Sequence, residues 1–336
     1  MTSAPSDDMT CGVCVTPGTF AVELRPKPAE AAPGHRLVDI AAVGLCGTDY
    51  HIFEGKHPYL DYPRVIGHEL SGHIVDGPDA GRLVVVNPYL SCGTCRACQR
   101  GKPNCCTRIA VLGVHRDGGL CPRISVPERN LYPADGLMAE QAAMVEFLAI
   151  GAHAVARSDC AGGDRVLVTG AGPIGLGTAL FARLAGAEVH LMDLSEPRLT
   201  AMRTLFGFDR QHRPGTDILT GDLSDGFDLV FDATGSAAAI EAGFPLVAHG
   251  GASVLVSVVK DDITFTDSEF HKRESKIIGS RNALREDFDT VMQAIRDGHI
   301  PTEAIVSAIM PLAELPDRFP ELAKDRDHII KVLVTP

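Results

Sequence analysis

Apolar and polar residues alternate through the first part of the chain. Thr19-Phe20-Ala21-Val22-Glu23-Leu24 and Leu37-Val38-Asp39-Ile40 show the period of two that half-buried strands require, and the turn Pro26-Lys27-Pro28 separates them. Tyr62 to Glu69 enters another strand, and Arg82-Leu83-Val84-Val85-Val86 is a further one. Glycine and proline punctuate these runs and no helical period or internal repeat appears, so this part reads as a strand-rich domain. From Ala139 the period lengthens: Ala142, Ala143, Val145, Phe147, Leu148, Ile150 and Val155 form an apolar helix that carries one carboxylate, Glu146. Short β-runs then alternate with helical stretches: Arg165–Thr169, Glu188–Met192, Phe227–Asp232, Ala252–Val258 and Lys276–Gly279. That alternation predicts a doubly wound parallel sheet of α/β class. The segment from Asp209 to Gly226 is too polar and glycine-rich for a full crossover helix, so an abbreviated connection is expected there. The helix Phe288–Arg296 and the closing run His328–Val334 no longer fit the sheet. Residues 1–145 with 282–336 are therefore expected to form one discontinuous domain, and residues 146–281 the other.

Composition narrows the function without naming it. A chain of 336 residues exceeds the usual size of one core, in keeping with two domains. A net charge of −12 argues against nucleic acid and anionic membrane, which select basic surfaces. Met1 to Cys14 holds Asp7 and Asp8 and no basic, then apolar, leader, so no signal peptide is expected. The most apolar stretch, Ala142 to Ala156, contains Glu146 and His153, and no transmembrane helix is expected. Without an export signal, ten cysteines read as metal ligands and free thiols, and the expected compartment is the cytoplasm.

The chemistry is concentrated in three places. Cys46, Thr48 and His51 share one short window, with His68 and Glu69 about twenty positions later. Zinc favours tetrahedral sites of Cys, His and Asp/Glu donors, and a catalytic zinc leaves one position open. Cys46 and His68 offer two such donors, and a carboxylate the third, either Glu69 or one from further along. Glu146 is the other candidate, because a glutamate on so apolar a helix is costly to bury unless paired or metal-bound. The plain alternative is a buried cysteine and a hydrogen-bonded loop histidine. Next, Cys92, Cys95, Cys98 and Cys106 follow the spacing C-x2-C-x2-C-x7-C, enough thiolates to fill a structural zinc site. Cys105 competes for the fourth position at a spacing one residue shorter, and Cys106 is read as the ligand.

The third place is Gly170-Ala171-Gly172-Pro173-Ile174-Gly175, between the strand Arg165–Thr169 and a helix from Leu176 to Leu184. In that context the glycines serve a tight turn, close approach of a pyrophosphate and helix–strand packing, while the helix N-terminus supplies amide donors. Asp193 ends the next strand 18 positions after Gly175, placed to bond ribose hydroxyls and to favour NAD over NADP. Arg198, five residues on, either softens that preference or lies on a helix surface.

Several of these pieces occur in one order: GLCGTDYH (44–51), GHELSG (67–72), the four-cysteine lobe, MVEFLAIGAHA (144–154), GAGPIG (170–175) and FDATG (231–235). In this the chain resembles the zinc-dependent branch of the medium-chain dehydrogenase/reductase superfamily, over essentially its whole length. HPYLDYPRVIGHELSG (57–72), DITFTDSEFHKRE (262–274) and GSRNALREDF (279–288) carry a narrower likeness to polyol and sugar-acid dehydrogenases of the sorbitol and L-gulonate/L-galactonate 5-dehydrogenase types. The resemblance implies a GroES-like catalytic domain beside a Rossmann domain, NAD, and two zinc ions per chain. The catalytic ion would be held by Cys46, His68 and either Glu69 or Glu146. It also implies a proton relay through Thr48 and His51, a small-molecule substrate, and a homodimer or homotetramer. Glu146-Phe147 replaces the Glu-Pro of many relatives, and the loop 76–81 is trimmed. Threonine or simple alcohol dehydrogenase chemistry would use the same residues, and a non-catalytic dinucleotide sensor the same fold. Arg281, just beyond the last β-run, is a tentative substrate residue, either clamping a carboxylate or bonding hydroxyls at the domain junction.

Overall fold

The computed structural model describes residues 8–56 and 60–336. His57, Pro58 and Tyr59, which begin the narrower sugar-acid likeness, lie outside the described residues, as does Asp7 of the acidic N-terminus. The chain forms two compact units, one of residues 1–146, 292–298 and 305–336, the other of 147–291 and 299–304. The division thus falls within the helix Arg285–Arg296, ten residues past the expected return at 282. Among the described residues no helix is long and apolar enough to cross a membrane.

The first unit is strand-rich, as the alternating pattern requires. Asp8–Thr16 pairs antiparallel with Thr19–Pro26 and with Arg64–Val65. A larger sheet has the order Leu131–Pro133, Leu83–Val86, Glu69–Ile74, His35–Leu45, Lys331–Thr335, Val306–Pro311, with Arg123–Pro127 also on His35–Leu45. The C-terminal strand therefore enters beside the strand that ends at Leu45, one residue before Cys46. Its register sets Val332 opposite Leu45 and Leu333 opposite Gly44, while Gly44 faces Glu69 on its other side. The core includes Phe20 stacked on Phe319 at 4.9 Å between ring centroids. Phe319 belongs to the helix Leu315–Lys324, which holds Pro320 and which the residue pattern does not announce.

The second unit is a six-stranded parallel sheet in the order Gln211–His212, Glu188–Met192, Arg165–Thr169, Phe227–Asp232, Val247–Leu255, Lys276–Gly279. This is the doubly wound arrangement that binds dinucleotides where the strand order reverses. The connection from 209 to 226 contains a two-residue strand and one 3-10 turn, as its composition anticipates. The strand expected over Ala252–Val258 instead runs from Val247 to Leu255.

Two neighbouring strands of this sheet carry a histidine pair, His190 Nδ1 and His212 Nε2 standing 2.8 Å apart with the rings stacked. Glu188 Oε1 accepts a hydrogen bond from His190 Nε2 at 2.9 Å, and Phe227 closes the cluster edge-on. Burial foremost holds both histidines below the usual 6.5; Glu188 opposes it at His190, and His190 reinforces it at His212. The unfolded chain therefore binds protons that the folded chain refuses, and the stability from this pair is complete above about pH 6.5 and falls as the pH drops towards the folded values. His212→Asn should accordingly lose less thermal stability than wild type on going from pH 8 to pH 5.5. Equal losses in melting temperature would refute this account of the pair.

Candidate active site

Cys46 caps the helix Gly47–Phe53, its sulfur accepting the Thr48 amide at 3.2 Å. Asp49, fully buried, ties the cap together: Oδ2 accepts the Cys46 amide at 2.9 Å and Oδ1 the Gly67 amide at 3.2 Å. This is a capping box with an aspartate at its third position. One carboxylate thereby fixes both the thiol-bearing helix and the strand entry that carries His68. His68 Nε2 lies 3.1 Å from Cys46 Sγ. Its other nitrogen, Nδ1, is buried without a hydrogen-bond partner, 3.8 Å from Asp49 Oδ1.

Glu69 is buried and meets Lys331, whose ammonium lies 2.7 and 2.6 Å from the two carboxylate oxygens and 3.1 Å from the Leu45 carbonyl. The strand register causes this contact, since Gly44 separates Glu69 from the incoming C-terminal strand. A Cβ at Gly44 would stand 2.2 Å from Glu69 Oε2, so only glycine leaves room for the carboxylate. Glu146 opens the helix Val145–Arg157 and accepts a hydrogen bond from the Tyr89 hydroxyl. Burial foremost, with Glu69 adding to it, pushes the Glu146 carboxyl up to about 7 against His68, Tyr89 and Lys331. Burial by itself lowers the His68 pKa, but the charges of Cys46, Asp49 and Glu146 outweigh it and hold the imidazole well above its ordinary value.

Cys46 Sγ, His68 Nε2 and a Glu69 oxygen offer donor atoms within 4.8 Å of one another. A common ion about 2.0–2.3 Å from each donor fits such a spacing. The donor types agree with the geometry: a cysteine sulfur, an imidazole nitrogen and a carboxylate oxygen are the ligands that zinc takes. Tyr89 and Lys331 belong to no motif singled out from the sequence, and Asp49, although it lies within GLCGTDYH, carries no role there; its signal is its cap position three residues after Cys46. Thr48 is half-buried at the helix start and His51 is exposed in its last turn. Partial desolvation, then the positive charge of Arg326, lowers the His51 pKa, with Glu54 opposing and Lys56 assisting.

The four sulfurs of Cys92, Cys95, Cys98 and Cys106 also lie within 4.8 Å of one another. Backbone amides point at them, Cys92 N to Cys106 Sγ at 3.3 Å, Cys95 N to Cys92 Sγ at 3.3 Å and Arg108 N to Cys106 Sγ at 3.4 Å. Arg108, then Thr94 and Cys95, pull the Cys92 thiol down to about 5. Cys105 is exposed and outside the cluster, and all ten cysteines are free thiols rather than disulfides. Thiolate donors, amide support and tetrahedral number suit a structural zinc.

In the second unit, Gly170 to Gly175 joins the strand Arg165–Thr169 to the helix Pro173–Leu184, with Gly172 at its N-cap and Pro173 and Ile174 in its first turn. A Cβ at Gly175 would fall 1.7 Å from the Gly170 carbonyl, so glycine is what lets the helix pack on the strand. Asp193 holds the loop: Oδ2 accepts the Ala171 amide at 2.6 Å and Oδ1 the Ser195 amide at 2.7 Å. Arg198 Nη1 stands 3.9 Å from Asp193 Oδ2 and the same distance from where a Cβ on Gly172 would be, above the glycine loop. Arg281 is exposed, two residues past the strand Lys276–Gly279. A cavity of about 370 Å³ in this unit, lined by Phe244, Phe265, Phe270 and Arg273 among others, contains none of the expected site residues.

A thiol–imidazole–carboxylate metal cluster in one unit and a glycine-loop dinucleotide sheet in the other define a class, the metal-dependent oxidoreductases. Family models agree: an alcohol dehydrogenase GroES-like domain matches residues 32–136 and a zinc-binding dehydrogenase domain residues 173–297. The chain belongs to the zinc-type alcohol dehydrogenase family and is a dehydrogenase. It is 39% identical to L-galactonate-5-dehydrogenase of Escherichia coli, over 96% of this chain and 98% of that one. The alcohol dehydrogenase rspB of Escherichia coli CFT073, solved with NADH, superimposes with a TM-score of 0.91 at 28% identity, covering 98% of this chain and 100% of that one. L-idonate 5-dehydrogenase of Escherichia coli does so with a TM-score of 0.89 at 25% identity, covering 98% of each.

Proposed function

We propose that the protein oxidises a secondary hydroxyl of a sugar acid, with NAD as acceptor and zinc at Cys46, His68 and Glu69. The observation that carries this is the cluster of Cys46 Sγ, His68 Nε2 and a Glu69 oxygen within 4.8 Å of one another, with His68 and Glu69 buried. When bound, the zinc lowers the pKa of a coordinated hydroxyl and NAD accepts hydride. Glu146 stays close, held by Tyr89, as the alternative third ligand or a charge that balances the ion. Thr48 takes the hydroxyl proton at its side-chain oxygen and hands it on towards His51, which must be neutral to receive it. Partial desolvation and the charge of Arg326 lower the His51 pKa and so favour the neutral ring. A second zinc at Cys92, Cys95, Cys98 and Cys106 serves structure.

The likeness to L-galactonate-5-dehydrogenase and the exposed Arg281 support the sugar-acid reading. A guanidinium pairs bidentately with a carboxylate, which an aldonate offers and an alditol lacks. Arg281→Ala should raise KM for an aldonate far more than for the matching alditol; equal losses on both would leave a polyol dehydrogenase. The direct test is NADH formation over aldonates, alditols and amino alcohols, and no turnover of any acid would remove the sugar-acid reading.

NAD preference rests on Asp193. Each of its oxygens gives one lone pair to a backbone amide and keeps another for a ribose hydroxyl, while its charge repels a 2′-phosphate. Arg198 tempers that repulsion. NAD should exceed NADP in kcat/KM, and Asp193→Gly should narrow or reverse the gap. Equal use of both by wild type would disprove the assignment. A homo-oligomer is supported by the edge of the parallel sheet, where among the described residues Lys276–Gly279 pairs on one side only and leaves Ile277 exposed.

A further inference from the structure

The segment between the helix Leu315–Lys324 and the strand Lys331–Thr335 sends a second cation back into the first unit. Arg326 donates through Nη2 to Glu54 Oε1, a partner 272 positions earlier. Its Nε donates to the Ala323 carbonyl at 3.0 Å, and its guanidinium lies 5.2 Å from the centroid of the Tyr50 ring. Tyr50 in turn packs on Phe319 at 5.5 Å. The arginine is thus held by a carboxylate, a carbonyl and an aromatic face, unlike a loose surface pair.

Glu54 is the C-cap of the helix Gly47–Phe53 and sits three positions after His51, the spacing at which helical side chains are neighbours. The charges that act on His51 among the described residues are Arg326 from the C-terminal segment, then Glu54 and Lys56 just beyond its own helix. Lys56 Nζ stands 3.0 Å from Glu54 Oε2, but its side chain is 68% exposed, so Arg326 is the anchored partner.

We propose that Arg326 is a positioning residue for the relay: its ion pair with Glu54 denies His51 an uncompensated carboxylate, and so sets the acid limit of turnover. This rests on the reading of His51 as the proton acceptor. Removing the guanidinium takes a positive charge from beside the imidazole and uncovers a negative one. Both changes favour the imidazolium, which cannot accept a proton. Removing the Glu54 charge has the opposite sign, because Arg326 then acts alone. A pair that served only to fasten the helix would give both variants the same direction of change.

The test uses the zinc-loaded full chain with ¹³C-labelled histidine, the His51 resonance being assigned by its loss in His51→Gln. Arg326→Met should raise the titration midpoint of His51, Glu54→Gln should lower it, and Arg326→Lys should leave it near wild type. With L-galactonate and NAD as probe substrates, the acid limb of kcat/KM should follow: a midpoint raised by about half a unit in Arg326→Met costs roughly threefold relative to wild type at pH values well below both midpoints, and nothing on the alkaline plateau. Midpoints that stay put, or move together, overturn the proposal and leave the relay standing. An acid limb that persists unchanged in His51→Gln overturns the relay and this proposal together.

Discussion

Cys46→Ser is expected to abolish turnover while leaving the chain folded, and Cys92→Ser to cost the fold itself. The difference lies in what surrounds each sulfur. Around Cys46 the strands His35–Leu45, Glu69–Ile74 and Lys331–Thr335 are already packed, with Val43, Leu45, Leu70 and Val332 buried. The helix cap survives as well, because serine is itself a preferred N-cap and Asp49 still bonds the amides of residue 46 and Gly67. What is lost is a thiolate donor. Mutating an outer partner of a metal ligand costs about 10- to 100-fold in affinity or activity, so removal of the donor should exceed that range. The four-cysteine lobe has no such scaffold. Its regular structure is limited to Arg96–Gln99 and the turn Pro103–Cys105, and only Asn104 and Cys106 in that stretch are buried. A lobe of that kind gets its folding free energy from the metal. Metal analysis of protein isolated without chelators should find two zinc ions in wild type and one in Cys46→Ser, in keeping with the two donor clusters. One zinc or none in wild type would count decisively against the two-site reading.

Lys331→Met should be the most destabilising single change at the active site. The ammonium and the Glu69 carboxylate are both fully buried, and the carboxylate's two oxygens are bonded to it. Breaking a buried pair from one side leaves an uncompensated charge and costs about 3–5 kcal/mol, whereas replacing both partners by neutral groups is far cheaper. The double variant Lys331→Met with Glu69→Gln should therefore recover much of what the single change loses, and a double-mutant cycle by urea denaturation measures that coupling. Zinc enters the same balance. A divalent ion among Cys46, His68 and Glu69 would offset part of the orphaned carboxylate, so the loss should be larger after zinc is stripped. An additive cycle, with no dependence on metal, would mean that Lys331 acts through packing of its aliphatic stem alone.

Much of this protein is legible in its sequence because the relevant signals are local. Cysteine spacing within a 15-residue window, Cys92 to Cys106, is enough to specify four converging thiolates. Gly170 to Gly175 between a strand and a helix likewise announces its turn, and Asp193 follows at the end of the next strand. Alternation of apolar residues marks the first unit as strand-rich, and βα alternation marks the second as a parallel sheet. These patterns depend on contacts between residues near one another in the chain, or on a repeat that any register satisfies.

The remaining decisions depend on register and on partners far apart in sequence. Lys331 opens an ordinary-looking strand, and nothing in its neighbours marks it as a buried cation. It becomes the partner of Glu69, 262 positions away, only when Val332 pairs with Leu45 and Gly44 pairs with Glu69. Tyr89 meets Glu146, and Arg326 meets Glu54, in the same way. The boundary between units falls inside the helix Arg285–Arg296, where the residue pattern has no break. Sequence by itself determined which chemical groups the protein carries and which short segments converge. Tertiary structure alone decided how the charges of those groups are compensated, because burial and pairing are properties of strands that meet in space, and a one-residue slip in either would turn Lys331 or Glu69 to the opposite face of the sheet.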